Sequence, residues 1–355
     1  MARVVSIVGA RPQFIKAAPV SHALRAFGHA EVLVHTGQHY DTNMSAVFFD
    51  ELALPQPAHH LGIGSGTHGA QTGAMLAAVD GVIAAERPDW VLVYGDTNST
   101  LAGALAATKL HVRVAHVEAG LRSFNRQMPE EINRVLVDHI ADLLLVPSQT
   151  AVDNLTAEGL ISGVHLVGDV MVGALASAAA RAAARSTILA RLDLTEHRYV
   201  LATIHRAENT DSPARLAAIL AALRALDERV VVPLHPRTRK AIDALGPTPG
   251  HAAASGRLTF IEPVGYLDMV CLEQSARVIL TDSGGIQKEA YWLRVPCVTL
   301  RDETEWVETV QSGWNTVVGA DPERIVHAAR NVRMPADHPA FYGDTHAADR
   351  IAALL

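Results

Sequence analysis

The chain has 355 residues, 49% of them apolar, which is more than one ordinary core needs, so two domains are expected. Thirty Lys and Arg against 37 Asp and Glu give a formal net charge of -7, which argues against a broad nucleic-acid surface; an anionic ligand would need locally placed Arg, Lys and backbone N–H groups. Only two cysteines occur, Cys271 and Cys297, each in or beside an apolar run, which fits a reducing, cytoplasmic setting without a disulfide framework, and no apolar run approaches the length of a membrane span.

The opening Arg3–Val8 is interrupted by Arg11 and Pro12 too early for a signal peptide and is predicted as a first strand. Further strands are predicted at Glu31–Thr36, Trp90–Tyr94, Val112–Val117 and Leu143–Val146. Tyr199–Thr203, Val230–Leu234, Leu258–Ile261, Arg277–Leu280 and Cys297–Leu300 form a second set. Several are continuously apolar, the pattern of strands covered on both faces. Amphipathic segments such as Ala70–Glu86 and Pro213–Leu226 separate them, so the fold class is α/β with parallel sheets and right-handed crossovers. A boundary is expected between Asp169 and Glu196, around the alanine-rich run Ala174–Ala184, giving domains 1–170 and 171–355. The last segment, His338–Leu355, begins with turn residues and ends in a short helix expected to pack back on the first domain.

Many strands end in polar groups: Gly95-Asp96-Thr97, Glu118-Ala119-Gly120, His205-Arg206, His235-Pro236-Arg237 and Asp282-Ser283-Gly284-Gly285. Open parallel sheets bind ligands at the carboxyl ends of their strands. Ser283, Gly284 and Gly285 open a helix whose free N–H groups suit a phosphate, and Glu289, one turn on, is placed to accept both hydroxyls of a ribose. At the first strand-to-helix turn, Pro12 suits the helix start, Arg11 is placed to hold a diphosphate, and Lys16 lies one turn in, where it would otherwise be a solvated helix cation. Asp96 and Glu118 end neighbouring strands, and paired carboxylates in one pocket suit acid/base work. The structural alternatives are a helix cap for Asp96, an ion pair with Arg122 for Glu118, an i,i+4 pair with Arg134 for Glu130, and a satisfied structural role for His205. Gly64-Ser-Gly66-Thr-His-Gly69 matches G-x-G-x-x-G but does not follow the first strand, so no dinucleotide site is expected. None of the 18 histidines has a recognisable metal spacing, and no metal is expected.

Gly9-Ala-Arg-Pro, Gly95-Asp-Thr-Asn, His116-Val-Glu-Ala-Gly-Leu-Arg122, Met128-Pro-Glu-Glu-Ile-Asn-Arg134, His205-Arg and Asp282-Ser-Gly-Gly-Ile-Gln, in this order along essentially the whole chain, resemble the non-hydrolysing UDP-N-acetylglucosamine 2-epimerases. The resemblance implies a glycosyltransferase-B-like fold, two Rossmann-like domains facing a central cleft. It implies interconversion of UDP-GlcNAc and UDP-ManNAc for surface polysaccharides, by a homodimer with no added cofactor. It places Lys16, Asp96, Glu118, Glu130 and His205 in the catalytic cluster. Arg11, Ser283, Gly284, Gly285 and Glu289 match UDP-binding positions, and Arg206 and His235 join them at strand ends.

The hydrogen on C2 of the sugar has no adjacent carbonyl and is not acidic. Its removal requires loss of UDP from C1, giving a 2-acetamidoglucal, to which UDP adds back after proton delivery to the other face. Two opposed acid/base groups and a tight diphosphate site are therefore required. A glycosyltransferase of the same fold, a nucleotide-sugar sensor, a hydrolysing relative and an epimerase of a 3-modified sugar such as a 2,3-diacetamido uronic acid are the alternatives.

Two departures from the family pattern carry expectations. Its usual Gly-Thr-Arg-Pro-Glu is Gly-Ala-Arg-Pro-Gln here, so a first-turn contact through Thr and Glu should be lost. Many relatives need UDP-GlcNAc as an activator, gripped partly through Gln-His-Arg-Gln and His-Arg-Arg-Glu segments. This chain reads Gln38-His39-Tyr40-Asp41 and His205-Arg206-Ala207-Glu208. Each lost charged hydrogen bond is worth about 1.5–3 kcal/mol, so activator affinity should fall by more than about tenfold. The reaction started from pure UDP-ManNAc should therefore run without a lag, and forward kinetics should be hyperbolic. A strict need for trace UDP-GlcNAc would contradict this.

Overall fold

The computed structural model describes residues 1–38, 54–246 and 257–355, with the Arg11 side chain outside that set. The chain divides into two compact units, one of Met1–Ser177 with Ala340–Leu355 and one of Ala178–Pro339. The division falls inside a continuous helix, Val170–Arg185, which contains the alanine-rich run.

The first unit is built on a seven-stranded parallel sheet in the order β3-β2-β1-β4-β5-β6-β7. Its strands are β1 Arg3–Val8, β2 Ala30–His35, β3 His59–His60, β4 Trp90–Tyr94, β5 Arg113–Val117, β6 Leu143–Val146 and β7 Val164–Leu166. β4 is buried at every position, as its unbroken apolar sequence requires for a strand covered on both faces. Val5, Ile7, Val91, Val93 and Val114 alternate along the strands and meet Val79, Val82 and Ile83 of the helix His68–Glu86. The terminal helix Ala347–Leu354 belongs to this unit: Arg350 Nη1 donates to the Val167 carbonyl at 3.0 Å, and His29 Nε2 lies 3.0 Å from the Ala352 carbonyl.

The second unit carries a six-stranded parallel sheet, β10-β9-β8-β11-β12-β13. The strands are β8 Tyr199–Thr203, β9 Arg229–Pro233, β10 Leu258–Ile261, β11 Val278–Thr281, β12 Cys297–Thr299 and β13 Asn315–Val317. One face of β8, β9 and β11 presents Val200, Ala202, Val230, Val232, Val278 and Leu280 to Leu216, Ile219, Leu220 and Leu223 of the helix Pro213–Arg224.

In both sheets the strand order reverses beside a central strand, between β1 and β4 in the first and between β8 and β11 in the second. A reversal leaves the two following loops running to opposite faces, and the space beyond the strand ends there is where open α/β sheets hold ligands. The predicted strands all form. β3, β7 and β13, two or three residues each, are additional and too short to show a period in sequence. No described helix is long and apolar enough to cross a membrane.

Candidate active site

In the first unit, β1, β4 and β5 are neighbours, and their carboxyl ends deliver Gly9, Asp96 and Glu118 to one edge of the sheet. Lys16, on the first turns of the helix Arg11–Ala26, donates to Glu118 Oε2, with the two side chains only 13% and 9% exposed. A solvated helix cation would not be so enclosed. Gly95 makes this pair possible: it has φ +64, and a Cβ there would stand 3.2 Å from Lys16 Nζ and 3.3 Å from Glu118 Oε2. Glu118 itself has φ +70, a left-handed conformation that is strained for a residue with a Cβ.

Asp96 is held from the helix Pro129–Asp138. Arg134 Nη2 pairs with Asp96 Oδ2, and Asn133 Nδ2 donates to the Asp96 backbone carbonyl at 2.9 Å. Three structural alternatives are thereby corrected. Arg134 reaches Asp96 and Glu131 (2.8 Å), not Glu130, because the helix face that carries it points at the end of β4. Arg122 pairs with Asp138 (2.7 Å) and Glu158 (2.7 Å), which leaves Glu118 to Lys16. The cap of the helix Asn98–Lys109 is Thr97, whose hydroxyl accepts from the Thr100 N–H, so the Asp96 carboxylate is not spent as a cap. Glu130 is half-buried in the first turn of its helix and makes no hydrogen bond or ion pair among the described residues.

The expected loss of a first-turn contact is corrected in part: Ala10 makes no side-chain cap, but position 13 still engages the turn. Buried Gln13 accepts from Gly9 N (2.8 Å) and Ala10 N (3.0 Å) through Oε1, and donates through Nε2 to the Tyr94 carbonyl (2.8 Å) and Thr100 Oγ1 (3.0 Å). One amide thus ties the first turn to the end of β4, a double role that sequence offers no way to anticipate. Ala207 opens the short helix Ala207–Thr210, while His39, Tyr40 and Asp41 lie outside the described residues.

In the second unit, β8 and β11 lie side by side and bring His205 and Arg206 to Asp282. Fully buried Asp282 accepts from the N–H of His205 (3.1 Å), the N–H of Arg206 (3.1 Å) and Asn209 Nδ2 (3.1 Å). His205 Nδ1 lies 3.3 Å from Asp282 Oδ1, so the ring is oriented with Nε2 turned away from the carboxylate. The sequence singled out Asp282 only as part of its motif; a buried carboxylate at a strand end, one strand away from a histidine, was the available signal. His235 caps the helix Pro236–Ala244 by accepting from Arg237 N, and its ring centroid is 6.5 Å from that of His205.

Ser283 caps the helix Gly284–Trp292, accepting from Ile286 N at 3.4 Å. A Cβ on Gly284 would meet Glu305 Oε1 at 2.6 Å, so a larger residue there would displace the Glu305 carboxylate, whereas Gly285 is exposed and leaves the helix start open to an approaching group. Glu289 lies 7% exposed on the second turn of the same helix. Nearby Glu208, one residue past Ala207, has its carboxyl pushed up by burial and by Asp302. Among the described residues no group of three or more His, Cys, Asp or Glu is placed to hold a metal.

Residues 22–355 match the family model described as UDP-N-acetylglucosamine 2-epimerase. The chain is 54% identical over 325 residues, 91% of its length and 90% of the relative's, to a UDP-N-acetylglucosamine 2-epimerase homolog of Methanococcus maripaludis. It is 49% identical over 362 residues, 99% of each chain, to a UDP-2,3-diacetamido-2,3-dideoxy-D-glucuronate 2-epimerase of Pseudomonas aeruginosa. Its fold superposes with a TM-score of 0.91 on the crystal structure of the Methanocaldococcus jannaschii UDP-GlcNAc 2-epimerase in complex with UDP-GlcNAc and UDP, at 42% identity and 99% coverage of each chain.

Proposed function

Because the chain belongs to the UDP-N-acetylglucosamine 2-epimerase family, we propose that it inverts C2 of UDP-N-acetylglucosamine to give UDP-N-acetylmannosamine, by elimination and re-addition of UDP. The observation that supports this chemistry best is the placement of Asp96 and Glu118 at the ends of adjacent strands, each against its own cation. One carboxylate takes the C2 proton. The C–H electrons form the C1–C2 double bond, and the C1–O bond breaks with its electron pair leaving on UDP. A proton then reaches C2 from the opposite face, and the UDP oxygen re-forms its bond to C1. No electron is gained or lost overall. Asp96, Glu118 and Glu130 serve proton transfer, and Lys16 compensates charge beside Glu118. His205 with Arg11, Arg206 and His235 meets the departing diphosphate. Ser283, Gly284 and Gly285 hold phosphate at the helix start, and Glu289 holds the ribose. The protein works in the cytoplasm.

Run in D2O with UDP-GlcNAc alone, every product molecule should carry deuterium at C2 with no nicotinamide present, read by NMR. Full retention of the original hydrogen would instead indicate internal hydride return. No UDP-ManNAc without an acceptor would favour a transferase, and free ManNAc a hydrolysing enzyme.

A second reading of the substrate has its own support: the 49% identity to the P. aeruginosa enzyme extends over 99% of both chains. Offering UDP-GlcNAc and a UDP-2,3-diacetamido glucuronate in parallel decides between them through kcat/KM.

We also propose a homodimer. The helix His68–Glu86 exposes Gly69, Gly73, Ala77 and Gly81 along one face, and a Cβ at any of these glycines would meet nothing within 4 Å. The adjoining helix Asn98–Lys109 packs against both this helix and Pro129–Asp138, which exposes Ile132 and Leu136. Small residues with apolar neighbours allow close approach of a second copy. Sedimentation should show a dimer at micromolar concentration, and Gly73→Glu should shift it to monomer. A wild-type monomer would refute the dimer.

A further inference from the structure

His116 lies within β5 with its side chain fully buried. Nε2 is 2.7 Å from the Gly95 carbonyl oxygen, and Nδ1 is 2.7 Å from Asp138 Oδ1. A carbonyl oxygen only accepts, so Nε2 bears a hydrogen. Asp138 also accepts at Oδ2 from Gly120 N (3.0 Å) and from Arg122 Nη1 (2.7 Å), the pattern of an ionised carboxylate. We infer that His116 and Asp138 act together as the positioning pair for the ends of β4 and β5, an inference that rests on the reading of Asp96 and Glu118 as proton-transfer groups.

Arg122, in the loop after β5, extends the pair: its Nη1 donates to Asp138 Oδ2 at 2.7 Å, and its Nε (2.7 Å) and Nη2 (2.9 Å) grip Glu158. Among the charged groups nearby, Asp96 pairs with Arg134 and Glu118 with Lys16, and Glu158 also lies 3.9 Å from His139.

The positioning follows from where the bonds end. His116 fixes the carbonyl of Gly95, the residue before Asp96. Asp138 fixes the N–H of Gly120, two residues after Glu118. Glu118, between the two anchored turns, has φ +70, and left-handed backbone in a residue with a Cβ persists only where its surroundings over-determine it. One hydrogen-bonded side-chain pair thus ties together the two strand ends from which the carboxylates emerge.

His116→Asn should lower kcat by roughly 10–100-fold, the scale of a small misplacement, with KM for the UDP-sugar little changed. A folded His116→Asn protein with wild-type kcat overturns the positioning role and leaves the assignment of Asp96 and Glu118 intact; wild-type turnover by Glu118→Gln would remove that assignment instead. If His116→Asn does not fold, Asp138→Asn takes its place. It should lower kcat in the same way with KM little changed, and a wild-type kcat overturns the inference.

Discussion

Asp96→Asn, Glu118→Gln and Glu130→Gln are each expected to lower kcat by roughly 10²–10⁴-fold, the usual contribution of a general acid or base, while UDP affinity changes little. The substitutions keep side-chain shape and remove the titrating group. Asp96 pairs with Arg134, and Glu118 pairs with Lys16. Their amide replacements would retain a hydrogen bond to that cation and lose only the charge and the proton-carrying oxygen. Glu130 differs, since nothing among the described residues engages it. Its substitution cannot act through a broken ion pair, so a loss of turnover there reports chemistry directly. Steady-state kinetics with UDP-GlcNAc and calorimetry with UDP separate the two effects. Near-normal turnover by Glu130→Gln would exclude that residue from proton transfer.

Arg122→Met should cost about 3–5 kcal/mol of stability, because it takes the guanidinium from the fully buried Asp138 carboxylate and leaves that group only His116 and the Gly120 N–H. The Arg122 side chain is 1% exposed and that of Asp138 is fully buried. Burial pushes the Asp138 carboxyl up, but the bond to His116 and the charges of His116 and Arg122 outweigh it and hold the group below its usual value. A depressed carboxyl contributes stability above its unfolded pKa and loses it as pH falls through the folded value. The cost of Arg122→Met, read from urea unfolding, should therefore be largest near neutrality and shrink in acid. By contrast, Arg239 and Glu262 form an exposed pair, 42% and 80% accessible, and Arg239→Met should cost no more than about 1 kcal/mol. Equal losses for the two variants would contradict the assignment of the buried network as structural.

The strands that carry chemistry were legible because they are long, apolar and end in polar residues. β1, β4, β5, β8 and β11 each bury an unbroken run before the group they present, which is the pattern a central parallel strand must have. Partner choice was not legible. Sequence offers neighbours on one helix, such as Glu130 and Arg134, whereas Arg134 pairs with Asp96 across 38 residues once β4 and the helix Pro129–Asp138 are brought together. The same limit hid Arg122 with Asp138 and Lys16 with Glu118, 102 residues apart. Short side chains at a turn were equally opaque. Nothing in Gly9-Ala-Arg-Pro-Gln13 announces that the glutamine bonds both backwards to the turn and across to β4.

That glutamine has a consequence for how acid inactivates the enzyme. A carboxylate at position 13 could accept from Gly9 and Ala10, but it would set a second acceptor against the Tyr94 carbonyl and would titrate. The amide satisfies donors and acceptors alike and has no proton to gain. The first loop thus keeps its shape at any pH at which the sheet survives. Acid can therefore loosen the first turn only through its neighbours, because the tie from Gln13 to the end of β4 carries no titrating group.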